Sequence, residues 1–109
     1  MKSLHLLAIT LTAAALFTAA PAGAQAKPPQ DTFLDRCSVC HGPDGAGKTA
    51  KGKKLGVKDV RETVTKMTAA QMIDVVTKGK DPDMDAFGKE LTLDEIKQIV
   101  DYYRSLAKK

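Results

Sequence analysis

Tryptophan is absent from this 109-residue chain, and only five aromatic side chains are present, three Phe and two Tyr. There are two cysteines, Cys37 and Cys40, and two histidines, His5 and His41. Each shortage excludes something. So few large side chains make a thin set for a self-sufficient core, in a chain small enough to hide only about two-thirds of its unfolded surface. One cysteine pair cannot build a disulfide framework. Two cysteines and a histidine fall short of the four protein ligands usual for structural zinc. No alternating apolar and polar run marks a strand, and no internal repeat or coiled coil is visible. A domain of this kind needs a staple beyond its own side chains.

The N-terminus reads as a secretory leader. Met1-Lys2-Ser3 is a short basic start, Leu6 to Ala20 is an apolar run, and Ala22-Gly23-Ala24 is a small-x-small cleavage site. A bilayer span needs about 20 apolar residues, and this run is shorter and Ala-rich. Residues 1–24 are therefore expected to be cleaved, with Ala24-Gln25-Ala26 as a second candidate site. The mature chain would be a flexible segment over 25–30 and one domain over 31–109. An exported, periplasmic location follows, with no stable membrane insertion after cleavage.

What is present decides the chemistry. Cys37-Ser38-Val39-Cys40-His41 is C-x-x-C-H, the attachment signature of c-type haem. Two thiols three residues apart on a helical turn face the same way, so both reach the vinyl groups along one porphyrin edge. His41 then points at the iron, and it is the only histidine left once the leader is gone. A buried macrocycle would also supply the missing core. The rival reading of C-x-x-C as a thioredoxin-like dithiol needs a βαβ setting, which the flanking sequence lacks.

Gly42-Pro43-Asp44-Gly45-Ala46-Gly47-Lys48-Thr49 matches the phosphate-loop pattern G-x-x-x-x-G-K-[ST] letter for letter. That motif works only between a buried strand and a helix N-terminus. Here a helical C-x-x-C-H leads in, and the chain is too short for a nucleotide-binding α/β domain. Gly42 reads instead as a helix stop and Pro-Asp-Gly as a turn.

The remainder reads as helices joined by a long loop. Asp31 as N-cap and a stripe of Phe33, Leu34 and Cys37 predict a helix over 31–40 carrying the attachment site at its end. Residues 42–58, rich in Gly and Lys, read as loop, and 59–67 as either a short helix or an irregular turn. Thr68 with Gln71 and Thr92 with Glu95 form capping boxes. They predict helices over 69–78, closed by Gly79, and over 93–107 with an Ile96, Ile99, Val100, Tyr103, Leu106 stripe.

Between those two helices, Met84 stands in a segment broken by Gly79, Pro82 and Gly88 and flanked by Asp81, Asp83 and Asp85. Methionine is commonest as filler on packed faces, which suits Met67 and Met72. In a loop it is a ligand candidate, able to swing its thioether over the iron from the side opposite His41.

Cys-x-x-Cys-His-Gly-Pro-Asp-Gly, then Met84-x-Ala86-Phe87-Gly88, then the closing Leu-Thr-x-x-Glu-Ile-x-x-Ile-Val-x-Tyr-Tyr-Arg-Ser-Leu resemble a class I, mono-haem bacterial cytochrome c. The resemblance covers about residues 33–106 and keeps the family order. It implies an all-α, cytochrome c-like fold wrapped round one covalently held haem c. It also implies His41 and Met84 as axial ligands of iron, and single-electron transfer rather than catalysis. Phe33 matches the aromatic by which the first helix packs across the last, and Tyr102 the aromatic on the last helix. Two positions depart from the family. Asp85 stands where Pro often follows the ligand Met. Gly52-Lys53-Lys54-Leu55 stands where a Pro carbonyl often accepts from the ligand His, a bond that any backbone carbonyl can replace.

The chain carries +4, and loss of Lys2 leaves +3. Lys48, Lys51, Lys53, Lys54 and Lys58 form a basic run that could steer the protein to an acidic redox partner, or be no more than a solvated loop. A monomer docking transiently with a donor and an acceptor is expected, and nucleic acid is not, since no reading motif accompanies the lysines. Two other functions stay open: a five-coordinate haem sensor or peroxidase-like protein, if Met84 does not bind iron, and a colourless dithiol redox module.

Overall fold

The computed structural model describes residues 12–16 and 27–109. Of the expected leader, residues 12–16 have no regular secondary structure; both cleavage sites lie outside the described residues. Helix α1 spans Pro29–Arg36 and α2 Ser38–His41. Then come α3 (Ala50–Leu55), α4 (Val60–Lys66), α5 (Ala69–Lys78) and α6 (Leu93–Ser105), with a 3₁₀ turn over Leu106–Lys108. Among the described residues there is no strand, only an isolated bridge between Lys80 and Met84.

Local chemistry explains each helix and four differences from the expected pattern. The first helix starts two residues early because Pro29 occupies its first position, where the missing N–H is no loss. It also breaks at Cys37, whose carbonyl accepts from the Cys40 and His41 N–H groups at 3.2 and 3.0 Å. The segment over 42–58 is not wholly loop. Thr49 accepts from the Gly52 N–H and starts α3, which ends at the left-handed Gly56. Over 59–67 the helix prevails, with Asp59 capping the Arg61 N–H of α4. In α5 and α6 both capping boxes are complete, with side chain and backbone bonded reciprocally. The last helix tightens at Leu106 rather than running to Ala107.

Helix α6 is the axle, packing against α1, α4 and α5. Its buried stripe, Ile96, Ile99, Val100 and Tyr103, joins Phe33, Val60, Met72 and Leu106 in one core. Phe33, 1% exposed, meets Tyr102 edge-on at 5.3 Å and stacks on Tyr103 at 6.0 Å. Full burial of such a ring contributes about 1.5–3 kcal/mol. The aromatic helix crossing expected from the resemblance is therefore present. No described helix is long and apolar enough to cross a membrane.

Candidate functional site

One side of α6 faces a cavity of about 490 Å³ rather than another helix. Its wall comes from every helix and from the segment between α5 and α6. Cys37, Cys40, His41 and Met84 all line it. The four residues singled out in the sequence are thus brought to one place.

The thiol and imidazole side is held by backbone. The Gly47 N–H donates to the His41 carbonyl at 2.8 Å, and the Thr49 hydroxyl lies 2.7 Å from the Val39 carbonyl and 3.2 Å from that of Cys40. Helix α3 sits so close that a Cβ on Gly52 would be 2.2 Å from the Cys40 carbonyl oxygen. Both cysteines are free thiols. Burial, partly opposed by the charge of Arg36, pushes the Cys37 thiol up to about 11.

Burial also lowers the His41 pKa below the ordinary 6.5, which keeps the imidazole neutral at pH 7. That is the form that can bind a metal. Its ring meets Tyr103 edge-on at 5.2 Å, and its Nδ1 is buried with no hydrogen-bond partner. The carbonyl expected from residues 52–55 does not reach it. Burial raises the Tyr103 phenol as well.

Met84 arrives differently. Lys80 N–H and Met84 carbonyl pair at 2.8 Å, as do Met84 N–H and Lys80 carbonyl. The Phe87 and Gly88 N–H groups then donate to Val76 and Thr77 at the end of α5, at 2.9 and 3.0 Å. Lys51, Lys58, Lys80 and Arg36 line the cavity with positive charge, alongside Asp83 and Asp85.

Sequence reasoning missed several contributors to the wall, two methionines among them. Met67 and Met72, read as core filler, also line the cavity. Their signal was ambiguous by nature, because an apolar stripe looks the same whether it faces a helix or a bound group. Among the described residues no cluster of three or more His, Cys, Asp and Glu could hold a metal ion.

Haem c fits these residues. The cavity has the volume of a site for a large organic group. Its walls are chiefly apolar, two thiols stand at attachment spacing, and an imidazole and a thioether complete the donor set. A helical domain folded round such a cavity is the architecture of a c-type cytochrome. Residues 24–102 match the family model described as cytochrome C oxidase, cbb3-type, subunit III, and the chain belongs to that family.

Solved structures agree. The c-type cytochrome KustC0563 aligns with a TM-score of 0.68 and 28% identity over 73% of this chain and 98% of its own. A point mutant of the same protein gives 0.67 and 29% over 73% and 99%. The c-type cytochrome XoxG from Methylobacterium extorquens AM1 gives 0.57 and 23% over 72% of this chain and 48% of its own, and speaks to the fold alone. No curated protein gives a match. The class is that of haem-based electron carriers, with covalently bound haem c, iron and redox partners.

Proposed function

We propose that this protein is an exported one-electron carrier holding a single haem c, with residues 1–24 as its cleaved leader and 31–109 as the cytochrome domain. Cys37 and Cys40 would hold the group through two thioether links, and His41 and Met84 would be the ligands of its iron. The observation that carries this reading is the convergence of all four on one cavity.

The bound group supplies reversible iron redox chemistry, and the protein tunes it. His41 offers a neutral nitrogen because burial disfavours its charged form. The Met84 thioether favours the ferrous state and raises the potential. Phe87, Ile99 and Val100 are buried beside the cavity and exclude water from it. With His41 and Met84 both holding the iron, no position would be left for a substrate, so no acid, base or nucleophile would be required, which suits a carrier rather than an enzyme. The Lys51, Lys58 and Lys80 side chains at the cavity suit brief docking of an acidic redox partner by a monomer.

Met84→Ala tests the assignment in exported, haem-loaded protein. The expected result is loss of the sulfur-to-iron absorption band of the oxidised form, a potential lower by on the order of a tenth of a volt, and new carbon monoxide binding. An unchanged spectrum and potential would overturn it.

A further inference from the structure

Arg36 immediately precedes Cys37, yet its side chain reaches across to the other face of the site. Its guanidinium carbon lies 5.2 Å from the centroid of the Phe87 ring, and its Nη2 donates to Glu90 Oε2 at 2.5 Å. Phe87 follows Met84 by three residues and is 7% exposed, so the cation rests on a fixed ring rather than a mobile one. The ion pair is about half exposed on each side, at 47% and 52%. Among the described residues it is also the only hydrogen bond or ion pair joining residues 27–42 to residues 79–91. Otherwise the Met84 segment bonds to itself and to the end of α5.

We propose that Arg36 is a positioning residue for Met84, a clasp that ties the methionine segment to the thiol helix and slows its swing away from the cavity. The inference rests on Met84 being an axial ligand. An isolated half-exposed ion pair contributes little. Here one guanidinium holds two partners three residues apart, and cation–π contact adds to charge pairing. Because α1 packs on α6, losing the clasp frees the Met84 segment without unpacking the helices. The effect therefore falls on the opening of that segment and hardly on global stability.

Imidazole binding to the oxidised holoprotein reads that opening, since the probe enters only where Met84 has moved away. Arg36→Ala is expected to speed binding about tenfold and Glu90→Gln about threefold, from the usual magnitudes of the two contacts. Added salt should speed binding to the native protein and to Arg36→Lys, because it screens the pair, and leave Arg36→Ala and Glu90→Gln flat. A merely structural role would lower the melting temperature without this salt signature. Rates for Arg36→Ala and Glu90→Gln within twofold of the native protein overturn the clasp, and Glu90→Gln alone decides if Arg36→Ala fails to fold. Met84→Ala separates the two readings. If it leaves the oxidised spectrum unchanged, the ligand assignment fails; if it abolishes the sulfur band while the clasp variants bind like the native protein, the clasp alone fails.

Discussion

The two sides of the cavity are built on different plans. The cysteine and histidine side is braced by other elements: α3 lies against α2 with no room for a side chain at Gly52, Thr49 bonds across to Val39, and Val60 donates to Gly45 at 2.8 Å. The Met84 side braces itself. The close approaches of Gly79 are to Met84, Asp85 and Ala86, and that of Gly88 is to Thr77. Beyond α5, the buried Phe87 and Leu91 packed against the core, the Arg36–Glu90 pair is, among the described residues, its polar tie to the cysteine side. One side is part of the fold, whereas the other is a unit hung from it.

The sharpest way to break that contrast is a pair of glycine substitutions. Gly52→Ala should cost about 3 kcal/mol, the upper end for overpacking, because its Cβ would meet two backbone carbonyls at 2.2 and 2.7 Å. Thermal unfolding of the whole domain would report it. Gly79 has φ 74° and ψ −178°, a region essentially reserved for glycine, and Gly79→Ala should cost about 2 kcal/mol. That cost should appear as lost Met84 ligation in the oxidised spectrum, with helix content and melting nearly unchanged. Equal losses of melting temperature in the two variants would erase the distinction.

Acid gives the smallest and most selective effect. Hydrogen bonds from Arg61 hold the Asp59 carboxyl down to about 2 from its ordinary 3.8. A depressed carboxylate contributes stability above its unfolded value and loses it as pH falls toward the folded one. The contribution is therefore complete above pH 3.8 and lost toward pH 2. Asp59→Asn keeps a cap acceptor for the Arg61 N–H and should flatten acid unfolding in that window, with the Met84 spectrum at neutral pH untouched. Circular dichroism against pH checks it.

Legibility in the sequence tracked how local the cause was. Helices α5 and α6 begin where Thr68 and Thr92 say they do, because a capping box is complete within four residues. Helix α3 was hidden because its apolar content is little more than Leu55; Thr49 was the available sign. Cys37, Cys40, His41 and Met84 were legible because their chemistry is unusual for their setting. Arg36 was not, since its partners lie more than fifty residues away and an arginine on a helix is ordinary. Met67 and Met72 belong to the core on one flank and to the cavity wall on the other. In a domain whose centre is a bound group, the two descriptions coincide.

The raised Cys37 thiol has a bearing on the order of assembly. Only a thiolate adds readily to an alkene, and at about 11 the folded chain keeps this sulfur protonated at neutral pH. For the attachment proposed above, the reactive state is then the open chain, in which the sulfur is wet and ionises more easily. Attachment at Cys37 is then expected to be slower in apoprotein that has already closed. On the proposed attachment, bond making ahead of packing is the order this thiol favours.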